Sequence, residues 1–441
     1  CQHPAEAAGW WITLTLRETT DDPMAESRKK KSLRPSALGA AGLGEEKPPE
    51  PDLRQAQKLV LELLALPGRS GREGQVVRFI RERLLEAGAP RDALRDDQSH
   101  RHTPLGGEVG NLALKLAGTH RGPRRLLMAH TDTVPLCEGA RPLVRGNYVV
   151  PADKATALGA DDRAGAAVVL HAAMEILRRG LPHPPLTFLW TVQEEVGLYG
   201  ARFLHLANLG RPRLAFNFDG GSPEKITVGA TGGYRMEIRI QGVASHAGSA
   251  PEKGVSAVVI ASLAIARLHE EGWHGLVEKD GRQGTSNVGV IRGGEATNVV
   301  TPYVEIRAEA RSHDPQFRQK IVRSIENAFR DAARAVRCSD GSAGRVEIEG
   351  RLDYEAFRLA GDEPGAAAAE AAVRDVGGEP MRAISNGGLD ANWLTARGIP
   401  TVSLGCGQQN PHTTAERLSL PDFRQACRIA LRLATGTESS G

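Results

Sequence analysis

The sequence is short of several things, and each shortage narrows what the chain can be. Aromatic residues make up 4% of it, so its cores are built from aliphatic and alanine side chains rather than stacked rings. The five cysteines (Cys1, Cys137, Cys338, Cys406 and Cys427) are odd in number, widely spaced, and include no Cys-x-x-Cys pair. That spacing argues against a disulfide framework or a thiolate zinc site and favours a reducing, cytoplasmic setting. No stretch approaches the roughly 18 consecutive apolar residues of a membrane helix. The short apolar patch from Gly9 to Leu16 has no basic segment before it and no convincing cleavage site after it, which makes a poor secretory signal. Excess charge is missing too. A net charge of +3 over 441 residues, with Lys and Arg scattered through the predicted helices, gives no reason to expect nucleic acid or membrane as a partner.

What is present is enough apolar content, 40%, for globular packing, in a chain too long for one ordinary core. Residues 1–51 carry Arg28-Lys29-Lys30-Lys31 and then Gly, Ala, Glu and Pro without a sustained period; they are expected to be a disordered leader. Because the chain starts at Cys1, the residues before Met24 are expected to be an over-extended reading frame.

Order is expected from near Pro51. Gln55–Leu66 has helical spacing, and Ser70-Gly71-Arg72-Glu73 resembles a capping box before a helix over Val76–Ala87. Strands are expected at 111–116, 126–129, 186–192 and 214–218, with a helix over Arg163–Arg179. Strands alternating with helices indicate an α/β layer with functional residues at strand ends. The pattern then changes. Tyr234–Ile240 and Val299–Ala310 alternate as half-exposed strands do, Gly254–His269 and Pro315–Val336 read as helices, and 286–291 and 345–349 as strands. The order β-α-β-β-α-β is that of a split-βαβ, two-layer α+β domain. After it the α/β style resumes with a helix from Gly365 to Val376, a strand at 401–404 and a helix from Pro421 to Ala434. The expected division is catalytic residues 52–230 and 353–437, with residues 231–352 inserted between them.

The chemistry gathers where apolar runs stop. His130-Thr131-Asp132 follows four apolar residues; residues i and i+2 share a strand face, so Asp132 can reach the His130 imidazole and fix its tautomer. Asp161-Asp162 opens a helix, where one acid can cap and the other is left free to bridge cations. Glu194-Glu195 ends a core-like strand, an expensive place for two carboxylates unless metal, a positive partner or water takes up the charge. One of the two can bind metal while its neighbour moves a proton. Asp219 is another strand-end acid before glycines, and His412 lies in a loop after a strand. Each has an ordinary reading alone, as a hydrogen-bonded His, a turn Asp or an exposed loop His. As a set, two His with several carboxylates and no Cys suit a harder, oxygen-rich site for zinc, cobalt or manganese.

Four segments in order, Met128–Pro135, Gly159–Gly165, Gln193–Gly197 and Asn410–Thr413, give the chain a resemblance to the di-zinc peptidase family of peptidase T, carboxypeptidase G, aminoacylase and succinyl-diaminopimelate desuccinylase. It is most similar to peptidase T-like proteins, over about residues 52–437. The resemblance implies a mixed-sheet, zinc-exopeptidase-like catalytic domain and a ferredoxin-like lid that often dimerises. It implies two divalent metal ions, one held by His130 and Asp219, the other by Glu195 and His412, with Asp161 bridging. Glu194 would be the general base and Asp132 the residue orienting His130. His246 would stabilise the tetrahedral intermediate, in some members from the partner subunit. Asn298 and Arg311 match positions that hold the substrate backbone or carboxylate. Asn386 lies in the substrate loop, where peptidase T carries Arg, so tripeptide specificity does not transfer. The resemblance thus points to an exopeptidase for short peptides, with removal of acyl or carbamoyl groups from amino acids as the alternative. A non-catalytic peptide-binding homologue is disfavoured because Glu194 and every expected ligand are present.

Overall fold

Residues 125–130, 186–191, 214–218 and 401–404 are short runs buried along their whole length, as strands at the centre of a helix-covered sheet are. In the computed structural model, which describes residues 49–436, they lie side by side and parallel in the order 186–191, 125–130, 214–218, 401–404. Antiparallel strands at 112–116 and 94–96 extend one side, and Lys225–Ala230 with Phe357–Arg358 the other. With Met381–Ser385, parallel to Lys225–Ala230, the mixed sheet has nine strands. Because the four central strands run the same way, their C-terminal ends open on one edge, where α/β sheets place ligands.

Helix Ala160–Arg179 packs on this sheet between Leu53–Leu64 and Leu420–Thr435 and is buried from Asp162 to Ile176. Gly165 sits where its start meets strand 214–218: a Cβ there would run into the carbonyl oxygen of Phe218, so glycine brings the helix against the strand end that carries Asp219. Trp190 Nε1 donates to the Ala166 carbonyl at 3.2 Å, which satisfies the polar handle of a fully buried ring. Burying Trp190, Phe188 and Phe216 contributes about 1.5–3 kcal/mol each.

The second layer system has its own core. Five antiparallel strands in the order 275–279, 282–293, 303–312, 232–241, 345–354 are backed by helices Ala257–Glu270 and Pro315–Ala335. Ile238, Ile240, Ile260, Ile321 and Phe329 are among its fully buried side chains. Apart from Gly275–Lys279, this is the ferredoxin-like order expected from the β-α-β-β-α-β pattern. The added strand pairs with 282–293 across Asp280-Gly281, both at positive φ (53° and 70°). That is the Asp-Gly hairpin turn, a local signal overlooked in the alternation of the longer strands.

A small four-stranded sheet also goes beyond the sequence expectations. It is made of Pro142–Arg145, Tyr148–Pro151, Arg417–Ser419 and Gln408–Gln409, strands too short for periodicity to mark. The basic cluster and Met24, and the expected leader up to residue 48, lie outside the described residues. Of the leader's last three residues, Glu50 pairs with Arg428 at 2.7 Å, so order begins slightly earlier than expected. Cys137, Cys338, Cys406 and Cys427 are free thiols. Among the described residues no helix is long and apolar enough to cross a membrane.

Candidate active site

His130 is the last residue of its strand. Its Nε2 lies 3.2 Å from Asp161 Oδ1 and its Nδ1 3.4 Å from Asp132 Oδ1. His412 comes in from the loop after Gln409, with its own φ at 61°. Its Nε2 lies 2.9 Å from the Glu195 carboxylate and 3.2 Å from Asp161 Oδ2. Asp161 therefore faces one imidazole with each oxygen. Ligand atoms of His130, Asp161 and Asp219 all lie within 4.8 Å of one another, and so do those of Asp161, Glu195 and His412.

The two acids at the helix start divide as their positions suggest. Asp162 Oδ1 accepts the backbone N–H of Gly165 at 3.0 Å, as a helix cap does, and its Oδ2 accepts the N–H of His130 at 3.2 Å. Asp161 is left facing the site. The Asp161–Asp162 peptide is cis. The approach to Asp161 is held by Glu416, whose carboxylate accepts the N–H groups of Leu158, Gly159 and Asp161 at 2.8, 2.7 and 3.0 Å.

The Glu194-Glu195 turn is held from behind. Asp132 Oδ1 accepts the Glu194 N–H at 3.0 Å, and Oδ2 accepts the Glu195 N–H at 3.2 Å and the Ser70 hydroxyl at 2.6 Å. Ser70 and Glu73 do not form the expected capping box. The Ser70 hydroxyl goes to Asp132, and Glu73 Oε1 accepts the N–H groups of Gly71 at 2.8 Å and Gln193 at 3.1 Å. Tertiary partners outcompete the local cap, because these groups are buried beside strand ends that need acceptors.

The charges cost free energy to bring together. Burial raises Glu194 well above the usual carboxylate range, helped by Glu195, Asp219 and Asp390 and opposed by His130. Burial, with the charge of Asp161 added, pushes Asp219 up to about 7. For Asp161, burial is outweighed by hydrogen bonds from His130 and His412, which hold it below its ordinary value. Those with Asp161 and Glu195 push His412 up to about 10. Buried acids crowded around two imidazoles fit divalent cations, which would neutralise charge that the protein leaves to shared protons. The donor set of oxygens and imidazole nitrogens suits zinc, cobalt or manganese.

Asp161, Glu194, Glu195, Asp219 and His412 line one cavity of about 320 Å³, together with Lys225, Ser385 and Gly387–Leu389. Neither His246 nor the three substrate candidates Asn298, Arg311 and Asn386 line it. His246 and Asn298 sit together on the lid: His246 bridges to Val299, and the Asn298 carbonyl accepts the Ala247 N–H at 2.9 Å. His246 Nδ1 accepts the N–H groups of Gly248 and Ser249, both at 3.1 Å, so the neutral ring carries its proton on Nε2. Arg311 pairs with Glu309 at 2.9 Å, and Asn386 Oδ1 lies 2.9 Å from His313 Nε2.

The profile of peptidase family M20/M25/M40 matches residues 126–436, which include all five ligand candidates. The chain belongs to this family. The uncharacterised protein YqjE of Bacillus subtilis is 30% identical over 374 residues, 85% of this chain and 95% of that protein. A tripeptidase of Staphylococcus aureus superposes with a TM-score of 0.78 at 29% identity, covering 88% of this chain and 99% of the other. The aminopeptidase PepT of Bacillus cereus superposes at 0.74 and 30% identity, over 87% and 98%.

Three buried acids of this M20 site escaped the sequence reading. Glu73 stands at the last position of a capping-box pattern. Glu416 lies in Thr414-Ala415-Glu416-Arg417, which has no motif. Asp390 accepts the Thr191 hydroxyl at 2.5 Å, and burial pushes it up to about 6. Its place after Asn386-Gly387-Gly388-Leu389 was the one available signal.

Proposed function

We propose that this chain is a metal-dependent exopeptidase acting on short peptides. The observation that carries the reading is the pair of three-residue ligand groups sharing Asp161, with Glu194 in the same cavity and not needed by either group. His130 and Asp219 would hold one divalent cation and Glu195 and His412 the other, zinc first and cobalt or manganese as alternatives. Such a pair, when bound, polarises the scissile carbonyl and acidifies water. Glu194, its carboxyl raised by burial, is suited to accept a proton from the attacking water and return it to the leaving amine. Asp132 keeps the His130 ring turned to the site, and His246 offers Nε2–H to the oxyanion from the lid, in a homodimer from the partner subunit.

A cavity of about 320 Å³ is at the small end for ligand sites, which favours substrates of a few residues. The same size admits an N-acyl amino acid, and the acetylornithine deacetylase of Myxococcus xanthus is 30% identical over 386 residues, so deacylation is the second reading. The division into catalytic residues 52–230 and 353–437 and a lid at 231–352 is supported by the two separate apolar cores. Helix Ala257–Glu270 keeps Val258, Val259 and Leu263 exposed, which favours a homodimer through the lid. A cytoplasmic setting is in keeping with the free thiols. The test is metal-reconstituted protein assayed against di- and tripeptides, N-acyl and N-carbamoyl amino acids. Turnover of free-amine peptides supports the first reading, and turnover confined to N-acyl or N-carbamoyl substrates replaces it with the second.

A further inference from the structure

Three successive backbone N–H groups, those of Gln193, Glu194 and Glu195, are each donated to a buried carboxyl group. Asp132 takes the second and third, and Glu73 takes the first at 3.1 Å. Glu73 is fully buried, and its Oε2 has no hydrogen-bond partner. A buried acid with half of its carboxyl unused is expensive, and nothing in the reaction described above employs it. What it does hold is unusual backbone. Gln193 has a φ of 55°, left-handed for a residue with a side chain, and this is where the chain turns from strand 186–191 to present Glu194. The Gln193 side chain is tied down separately, its Nε2 donating to the Gly106 carbonyl at 2.5 Å.

We propose that Glu73 is a positioning residue: its Oε1 clamps the left-handed turn at Gln193 and so sets the direction of the Glu194 carboxyl. Through the same segment Ser70 reaches Asp132 at 2.6 Å, so residues 70–73 brace the ends of two neighbouring strands at once. Burial and the charge of Asp132 push Glu73 up to about 8, which favours the neutral acid at neutral pH. A neutral acid keeps Oε1 as an acceptor without adding a charge beside Asp132. The role is therefore one that an amide side chain can take over and an apolar one cannot.

The inference rests on the peptidase reading, and the experiment separates the two. Wild type, Glu73→Gln and Glu73→Met are reconstituted with zinc or manganese and compared on the best peptide, with metal per chain, Tm and amide exchange at residue 193 measured alongside. A wild type that turns over nothing sinks the peptidase reading, and the exchange and metal data then still test the clamp. For Glu73→Met the expected result is a fall in kcat of about 10- to 100-fold, with KM and metal content unchanged and faster exchange at residue 193. Glu73→Gln is expected to restore kcat to within about threefold, because the acceptor is back. Unchanged kcat and exchange in a folded Met variant overturn the proposal. So does a Gln variant as defective as the Met one, since the charge or proton of Glu73 would then be what the site uses. Should the Met variant not fold, the Gln variant decides: slow exchange at residue 193 with near-native kcat supports the clamp, and fast exchange overturns it.

Discussion

Asp132 Oδ1 accepts the backbone N–H of Glu194 at 3.0 Å while lying 3.4 Å from the Nδ1 of His130. One carboxylate thus orients a candidate ligand and anchors the candidate base, joining the ends of two parallel strands. Asp132→Asn should damage both. Whichever way the amide lies, one of the N–H groups of Glu194 and Glu195 meets an NH₂ instead of an oxygen. Metal affinity should fall about 10- to 100-fold, and kcat should stay depressed when metal is saturating. Titration of the apoprotein followed by assay in excess metal checks this; full recovery of kcat would confine Asp132 to orienting His130.

Glu194 and His412 should fail differently. Glu194→Ala removes a proton carrier that neither ligand group requires, so metal content should persist while kcat drops by about 10²- to 10⁴-fold. His412→Ala removes a ligand atom and should lower the metal per chain. Elemental analysis beside the kinetics distinguishes them. Near-normal hydrolysis by Glu194→Ala would remove it from the role of base.

Chelation should destabilise the fold as well as stop turnover. Without cations the carboxyl groups of Glu194 and Asp219, raised by burial, are left to hold protons, and Asp161 is left to be balanced by His130 and His412 alone. Metal at about 100 times its dissociation constant adds about 2.7 kcal/mol per site, so Tm should fall on treatment with a chelator and return with zinc, cobalt or manganese. A Tm indifferent to chelation would mean that the cluster holds no cation tightly.

Glu73 makes stability depend on pH with a definite sign. Its folded-state value is raised from 4.5 to about 8, burial first and Asp132 second. Its contribution is fully present below 4.5 and is lost as pH rises through about 8, because the folded state holds the proton longer than the unfolded one. Glu73→Gln, which does not ionise, should therefore gain Tm relative to wild type as pH increases across that window. A constant difference in Tm would show that Glu73 is ionised throughout.

The exposed side chains Val258, Val259 and Leu263 on helix Ala257–Glu270 should be covered in a dimer. Leu263→Glu should shift the protein towards monomer in sedimentation or light scattering. A wild type that is monomeric at assay concentrations, or a variant that dimerises unchanged, removes this face as the contact.

The sequence revealed best what is periodic or adjacent. Strand 214–218 and the start of helix Pro315–Ala335 fall where apolar spacing placed them. His130, Glu195 and Asp219 stand out at or just after the ends of apolar runs, whereas Asp161 at a helix start and His412 in a loop take their weight from the set. Glu73, Glu416 and Asp390 were not legible, because their hydrogen bonds reach 120, 255 to 258 and 199 residues along the chain. No local pattern encodes such a pairing. Ser70-Gly71-Arg72-Glu73 misled for the same reason: the residue types of a cap were present, and their partners lay elsewhere in the fold.

The cavity wall carries Glu194 and the ligand candidates Asp161, Glu195, Asp219 and His412, with His130 behind Asp161, whereas His246, Asn298, Arg311 and Asn386 lie off it. Inactivating substitutions should accordingly sort into two kinds. Changes in the wall or its carboxyl supports yield a protein short of metal or unable to move a proton. Changes on the lid yield one that is fully loaded, normally stable and idle, and whose lost activity a second, intact subunit could lend back when the two are mixed.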